Sequence, residues 1–151
     1  MTEPLVLNLD DFSAADTAEM EVRANGRPTG WKWVFAGPGH PKTVEQADKI
    51  ARRALKESQA KEQARVNGKK WTPEEETVES LRKRNVDFVI ERLIDWSPIQ
   101  VAGSDGKPTP FPFSVENARS LLSDPSKGGL LQQAYEFIGD SDSFIKRSAT
   151  P

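Results

Sequence analysis

Residues 18–36 read AEMEVRANGRPTGWKWVFA, and this stretch decides the fold class. Apolar and charged residues alternate over its first six positions, which is the period-two pattern of a half-buried β-strand. Asn25-Gly26 then supplies the positive-φ chemistry of a tight turn. The segment after the turn carries aromatic residues on one strand face: Trp31, Trp33 and Phe35. The stretch therefore predicts an antiparallel β-hairpin, and its aromatic face must be covered by helices or by a partner because a lone hairpin is marginal in water.

Helical patterns follow the hairpin. Each predicted helical segment begins at its own capping residue. They are a long charged helix over 44–67 after Thr43, a core helix over 73–95 after Thr72, and C-terminal helices over 114–139 that begin at Ser114. The Gly- and Pro-containing stretch 100–112 is expected to be a loop. The fold class is therefore α+β and predominantly α, with a small N-terminal antiparallel β-hairpin or sheet followed by about four helices.

The chain has 151 residues, which fits one compact domain. We expect this single α+β domain to span residues 18–148. Residues 1–17 precede it as an extended arm or an edge strand, because the short apolar run Leu5-Val6-Leu7-Asn8-Leu9 could pair with a sheet. Residues 149–151 are expected to be a flexible tail.

Composition excludes several classes of protein. The chain contains no cysteine, so it has no disulfide, thiolate nucleophile or Cys-ligated zinc. It has no run of about 18 apolar residues, so no transmembrane helix is expected, and its first residues do not resemble a secretory signal. Charge is uneven: the first 26 residues hold six acidic residues and one basic residue, whereas residues 45–70 hold eight basic and four acidic residues. The basic segment is interpreted first as a solvated helix face and second as a surface for nucleic acid or an acidic partner.

The pattern of reactive side chains does not indicate an enzyme. His40 is the only histidine, which excludes His-based triads and His-His metal sites, and its place between Gly39 and Pro41 favours a turn role. Glu74-Glu75-Glu76 lies in an expected first helical turn, where the helix dipole accounts for it. Asp140-Ser141-Asp142-Ser143 lacks the central Gly and distal Glu of a calcium loop and is interpreted as a cap or turn. We therefore predict no catalytic residue, no cofactor and no metal.

Several segments carry a resemblance to a known family. Residues 26–41, GRPTGWKWVFAGPGHP, resemble a strand-then-AGP opening found in small proteins of bacteriophage tail-morphogenesis modules. Asp95-Trp96-Ser97, followed after a loop by residues 112–122, PFSVENARSLL, resembles the Trp-Ser turn and capped helix of phage tail assembly chaperones. The closing segment 137–144, FIGDSDSF, also fits, so the resemblance spans roughly residues 20–148.

The resemblance implies a non-enzymatic protein that binds the tape-measure protein and/or the tail-tube protein, and that self-associates as a homo-oligomer. It places the protein in the host bacterial cytoplasm or in the virion. A chaperone of this kind needs an adaptable apolar or aromatic groove, because a long, partly apolar partner would aggregate unprotected. The aromatic residues to consider as groove or core, and hence as candidate partner-binding residues, are Trp31, Trp33, Phe35, Trp96, Phe111 and Phe113.

Two alternatives to a chaperone stay open. A structural virion component, such as a neck, capsid-decorating or tail-completion protein, would order its polar termini and its hairpin against neighbouring subunits. A nucleic-acid-binding module would use the basic residues between Lys49 and Lys70 and is the less favoured alternative. Neither alternative requires a membrane.

Overall fold

The structure is a computed structural model that describes residues 3–146. Its sheet has three antiparallel strands in the order β1-β2-β3: β1 is Thr17–Ala24, β2 is Arg27–Ala36 and β3 is Leu93–Trp96. Asn25 and Gly26, with φ of 53° and 78°, form the turn between β1 and β2, as the primed turns of two-residue hairpins require. The predicted hairpin and the α+β class are confirmed.

The third strand was not predicted. The expected core helix over 73–95 instead ends at Arg92, and the chain continues as β3, where Trp96 lies opposite Trp33 of β2. Leu93 and Trp96 are buried while Asp95 is exposed, so this short strand presents its apolar side chains to the core. The sheet is completed by a segment that is distant in sequence from the hairpin.

The N-terminal residues do not form an edge strand. Residues 3–8 have no regular secondary structure, and Leu9–Phe12 is a short 3-10 helix capped by the Asn8 side chain. The segment joins the body at Ala15 and Asp16, where Ala15 donates its N–H to the Phe144 carbonyl (2.7 Å) and Asp16 accepts from Gly37 (2.7 Å). Within the described part of this segment, residues 3–16 form no strand, and Thr17 begins β1.

The long charged helix, α1, spans Pro41–Val66. It begins three residues earlier than predicted, because His40 and not Thr43 is the N-cap: the His40 Nδ1 accepts from the Lys42 N–H at 3.1 Å. Pro41 follows at the first helical position, where its missing N–H costs nothing. Thr43 instead donates its hydroxyl to the Gly37 carbonyl at 2.7 Å.

The core helix, α2, spans Val78–Arg92 and also begins at a different threonine. The predicted cap Thr72 is wrong, since residues 69–77 form no regular structure. Thr77 is the N-cap: its side chain accepts from the Ser80 N–H (3.1 Å), and the Ser80 hydroxyl accepts from the Thr77 N–H (2.9 Å). This reciprocal capping box fixes the start of the helix.

The C-terminal third contains a small hairpin and two helices. The expected loop 100–112 includes two short antiparallel strands, β4 (Gln100–Ala102) and β5 (Pro108–Pro110). Ser114 caps α3 (Val115–Leu122), as predicted, and α4 spans Gly128–Gly139. Short 3-10 helices lie at Pro125–Lys127 and Ser141–Phe144. The predicted flexible tail 149–151 lies outside the described residues.

The core lies between one face of the three-stranded sheet and helices α2, α3 and α4. Its buried apolar side chains come from every one of these elements: Met20, Val22, Trp33, Phe35, Val86, Val89, Ile90, Leu93, Trp96, Ala118, Leu122, Ala134, Ile138 and Phe144. Helix α1 contributes only the polar Gln46, whose side-chain amide donates to the Phe88 carbonyl at 2.9 Å. Within residues 3–146, no helix combines the length and apolar character needed to cross a bilayer.

Candidate partner-binding site

Five aromatic residues form one cluster at the β2–β3 side of the molecule. We call this the aromatic cluster: Trp31, Trp33, Trp96, Phe111 and Phe113. Trp96 is at its centre, with ring centroids 5.2 Å from Trp31, 5.4 Å from Trp33 and 5.5 Å from Phe111. The contacts are a mixture of edge-on and offset-stacked geometries, which aromatic quadrupoles favour over face-to-face sandwiches.

Backbone pairing brings these residues together from distant parts of the sequence. Trp31 and Trp33 share a face of β2 because alternate residues of a strand point the same way. Strand pairing sets Trp96 opposite Trp33, and it is reinforced next to the cluster where the Lys32 N–H donates to the Ser97 hydroxyl at 2.9 Å. The Trp96 indole N–H donates to the Phe111 carbonyl at 3.1 Å, which fixes the segment between β5 and α3 on the cluster.

The structure separates the six predicted partner-binding residues into two groups. Trp33, Phe35 and Trp96 are 0%, 0% and 4% exposed, so they are core residues that a partner cannot touch without opening the fold. Phe35 also lies apart from the centre of the cluster, against Phe137 at 5.5 Å. The other three are half-buried and form the accessible rim of the cluster: Trp31, Phe111 and Phe113.

Two exposed valines lie close in sequence to this rim. Val101 of β4 is 39% exposed and Val115, at the start of α3, is 54% exposed. Val101 pairs with Thr109, two residues before Phe111, and Val115 follows Phe113 by two residues. We call the three rim residues together with these two valines the rim surface. It contains no carboxylate pair, histidine or amine that could act as an acid, base or nucleophile.

Two indole groups at the cluster are not satisfied. The Nε1 atoms of Trp31 and Trp33 are buried without a hydrogen-bond partner within the described part of the chain. An unsatisfied buried donor costs about 1–3 kcal/mol, so the packing gains of the cluster must exceed that cost. The cluster is therefore held mainly by apolar contact. Of its three indole N–H groups, Trp96 is the one that forms a hydrogen bond within the described residues, to the Phe111 carbonyl.

An open groove lies on another side of the molecule, along β1. Its volume is about 810 Å³, and its lining combines strand β1 with the C-terminal 3-10 helix: Ala15, Thr17, Ala18, Glu19, Phe137, Asp140, Asp142, Ser143, Ile145 and Lys146. Asp140 caps the 3-10 helix by accepting from the Asp142 N–H at 3.0 Å, as the sequence predicted for a cap or turn. The groove is wide and partly polar, and its carboxylates are engaged as caps or exposed to solvent.

The shifted ionisable groups lie outside the aromatic cluster. Hydrogen bonds, first from Lys127 and then from Ser126, lower the pKa of Asp124 to about 2, and this carboxylate caps the 3-10 helix before α4. Burial lowers the pKa of Arg92, whose Nε and Nη2 both donate to the Ala36 carbonyl at 3.0 and 2.7 Å. These groups support local structure. Within residues 3–146, no three His, Cys, Asp or Glu side chains lie together as a metal site would require.

Sequence reasoning missed the largest exposed apolar features. Leu5, Val6, Leu7, Leu9 and Phe12 are each more than 60% exposed on the N-terminal arm, and Val44, Ile50 and Leu55 are each more than 50% exposed on α1. The expectation for residues 1–17 was an extended arm or an edge strand, and the expectation for residues 44–67 was a long charged helix; neither identified these side chains as exposed apolar groups. The one sequence signal for exposure of the apolar run at residues 5–9 was that no turn and no second strand pattern follow it closely.

Comparison with models of known protein families found no match, and neither did comparison with curated proteins or with solved structures.

Proposed function

We propose that this protein is a non-enzymatic assembly chaperone for a phage tail, which holds an apolar segment of the tape-measure protein and/or the tail-tube protein in the host cytoplasm. The observation that supports this function best is the rim surface. It presents Trp31, Phe111 and Phe113 half-buried against the buried Trp33 and Trp96.

Such a surface suits capture of an apolar helix. Aromatic side chains are large, stiff and have few rotatable bonds, so they bind partners at a small cost in conformational entropy. Trp33 and Trp96 behind the rim are buried, and Trp96 contacts all three rim rings, so the rim is supported without a partner. The charged residues of the surface, which make up 29% of the chain with Lys, Arg, Asp and Glu counted together, favour solubility of a chaperone while it carries an aggregation-prone client.

The test is co-expression with a fragment of a phage tape-measure protein. We expect wild type to keep the fragment soluble and to co-purify with it. Val101→Glu together with Val115→Glu places two charges on the rim surface without removing a core side chain, and we expect it to lower the recovered complex at least about tenfold, because each buried, unpaired charge opposes binding.

Val78→Glu is the matched control. Val78 is 73% exposed at the start of α2, away from the aromatic cluster, and a glutamate in a first helical turn is favourable. This variant should retain the complex. Equal aggregation of the fragment with and without wild-type protein would remove the chaperone proposal, and equal recovery with the double variant would remove the rim surface as its site.

A structural virion component is the second candidate, and the exposed N-terminal arm is the observation that favours it. Five large apolar side chains on one short segment would become covered between neighbouring subunits of a particle. Mass spectrometry of purified particles distinguishes the two functions: a fixed copy number in the particle supports a structural role, whereas absence supports an assembly factor that leaves before completion.

A further inference from the structure

The outer edge of β1 presents backbone groups that no strand covers. β1 stands at the end of the strand order β1-β2-β3, so one of its edges has no neighbouring strand. Lys32 of β2 shows which residues face that edge: its N–H donates to the Ser97 hydroxyl and its carbonyl accepts from the Ser97 N–H, so both groups point away from β1. Glu21 lies opposite Lys32 in this non-hydrogen-bonded pair, so its own N–H and C=O point outward. The alternation of an antiparallel ladder places Thr17 and Glu19 outward as well.

The chain covers both ends of this edge and leaves its middle open. At one end, the Ala15 N–H donates to the Phe144 carbonyl at 2.7 Å. At the other end, the Gln133 side-chain amide binds the Arg23 backbone as a partner strand would, since it accepts from the Arg23 N–H at 2.8 Å and donates to the Arg23 carbonyl at 2.9 Å. Within residues 3–146, no group bonds to the outward N–H and C=O of the residues between these ends, which we call the open β1 edge: Thr17, Glu19 and Glu21.

The groove of about 810 Å³ follows the open β1 edge. Thr17 and Glu19 line it on the strand side, while the half-buried Phe137 and the 57% exposed Ile145 give it apolar surface beyond the strand. A smaller recess lined by Met20 shares Phe137 with the groove, so the open space continues along β1. Its volume falls in the range of about 300–1,000 Å³ that is usual for ligand sites. A strand placed beside β1 would therefore find apolar side chains on its core-facing side.

The charge around the groove selects the kind of strand that it can take. Four acidic residues and one basic residue line the groove and its recess, which gives a charge of −3: Glu19, Glu136, Asp140, Asp142 and Lys146. Among residues 3–146, none of these five belongs to an ion pair. Charges on an edge strand oppose pairing with a strand of like charge and favour one of opposite charge.

We propose that the open β1 edge binds an extended segment of a partner protein, in which basic and apolar residues alternate, as a fourth strand of the sheet. The side chains of an added strand point alternately to its two faces. Those on the core-facing side would cover Phe137 and Ile145, and those on the other side would lie beside Glu19 and Glu21. In this mode of recognition, main-chain hydrogen bonds provide affinity and the alternate side chains provide specificity.

The charges argue against a second copy of this chain as the occupant. The N-terminal arm, residues 3–12, contains an apolar run, but its charged residues are all acidic: Glu3, Asp10 and Asp11. Pairing of two β1 edges would bring Glu19 and Glu21 of both copies together, and like charges across strands are destabilising. The inference does not depend on the proposed function, and the groove shares no residue with the rim surface.

Synthetic peptides of opposite charge test the proposal. The probe is the fluorescein-labelled peptide KVKVKVK, with EVEVEVE as its charge-reversed partner, and fluorescence anisotropy measures binding to the protein. We expect wild type to bind KVKVKVK at least about tenfold more tightly than EVEVEVE. Glu19→Lys with Asp142→Lys should reverse this preference. Glu74→Lys with Glu75→Lys makes the same charge change at exposed positions outside the groove and should retain it, and circular dichroism verifies that both variants keep the fold.

Methylation of the peptide backbone separates strand pairing from attraction of charge alone. N-methyl groups on alternate residues remove the donors of one edge of KVKVKVK and leave its side chains and charges unchanged. Because only one edge of the peptide faces β1, methylation on the valines or on the lysines should weaken binding at least about tenfold, and the other pattern should have little effect. Bound peptide should also slow hydrogen exchange of the Glu19 and Glu21 amides, but not that of Met20, which already pairs with Trp33 of β2.

Several outcomes would overturn the proposal. They are no binding of KVKVKVK up to about 1 mM, equal binding of the two peptides, and equal effects of the two methylation patterns. Protection of the Glu19 amide that rises with protein concentration, without peptide, would make a second copy the occupant. Binding of KVKVKVK by a chain shortened to end at Lys146, together with no binding by the whole chain, would assign the groove to residues 147–151 of the same molecule.

Discussion

At the scale of single residues, Gly37 connects the arm to the body. It donates its N–H to the Asp16 carbonyl at 2.7 Å, its own carbonyl accepts from the Thr43 hydroxyl, and it is buried. A Cβ at this position would overlap the Ala15 backbone carbonyl, and backbone cannot move aside as a flexible side chain can. No side chain larger than hydrogen fits between the end of the arm and the start of α1.

We therefore expect Gly37→Ala to lower the free energy of unfolding by about 1–3 kcal/mol, the usual cost of overpacking a closed site. Gly39→Ala is the matched control two residues on, where a Cβ would have open space, and it should be neutral or slightly stabilising because it restricts the unfolded chain. Urea denaturation of the three proteins measures the difference. Equal free energies of unfolding for the two variants would show that the backbone at Ala15 and Gly37 moves apart for the added methyl group without loss of stability.

Arg92 shows a residue whose role could not be read from the sequence. It ends α2, where a basic residue is ordinarily explained by the helix dipole and exposed to solvent. The structure buries it to 7% exposure, with two donors on the Ala36 carbonyl and its guanidinium 5.6 Å from the Phe144 ring centroid. Only the folded arrangement of β2, α2 and the C-terminal 3-10 helix brings these groups together.

At the scale of elements, local sequence signals were enough to predict the β1–β2 hairpin and the N-cap of α3. The third strand depends on pairing between segments that are distant in sequence. Asn25-Gly26 and Ser114 act on their immediate neighbours, so the sequence alone was sufficient there. Leu93–Trp96 continues the apolar pattern of α2 and becomes a strand only because the edge of β2 is free to pair with it. Strand pairing between distant segments also limits prediction of the candidate site. The sequence identified the aromatic residues, but which of them are buried depends on which strands pair.

Two helices each had more than one residue that could serve as the N-cap. Thr72 and Thr77 were both candidate caps, but only Thr77 begins a helix, because its side chain and that of Ser80 each accept from the other residue's backbone N–H. At the start of α1, His40 is the cap and not Thr43, since Pro41 fits the first helical position and Thr43 bonds to Gly37 instead. Pro73 and Glu75 follow Thr72, so the same local signals also occur where no helix begins.

The Asp124 carboxylate caps the 3-10 helix Pro125–Lys127 that precedes α4, and this gives that 3-10 helix a measurable pH dependence. The pKa of Asp124 is lowered to about 2, chiefly by the Lys127 ammonium and then by Ser126. A lowered pKa means that the folded state favours the charged form, so the stabilisation is fully present above the ordinary aspartate pKa of about 3.9 and is lost as the pH falls toward 2.

We expect Asp124→Asn to be less stable than wild type near pH 7, and the difference to shrink below about pH 4 as wild-type Asp124 becomes protonated. Titration of the Asp124 carboxyl carbon by NMR should give a midpoint near 2, and Lys127→Met should raise that midpoint toward the ordinary value. A stability difference that is constant from pH 7 down to about 2 would contradict the assigned role of the charge.

At the scale of the whole molecule, stability is unevenly distributed. The sheet, α2, α3 and α4 share one core, in which Trp33, Phe35 and Val89 are fully buried. Helix α1 is the longest element, yet every residue from 47 to 63 is exposed, and its contact with the core is limited to its first turns. Exposed helix depends on local propensity and side-chain pairs such as Glu57–Lys61, which contribute only about 0.2–0.5 kcal/mol each.

We therefore expect native-state hydrogen exchange to divide the chain into two classes. Amides of α2 from Val86 to Arg92 should exchange only by global unfolding, so their exchange free energy should fall steeply with urea added below the unfolding transition. Amides of α1 beyond Ile50 should exchange by local opening of the helix, with lower protection and almost no dependence on urea. Equal urea dependence in α1 and α2 would mean that α1 unfolds with the core, and that contacts beyond Gln46 hold it there.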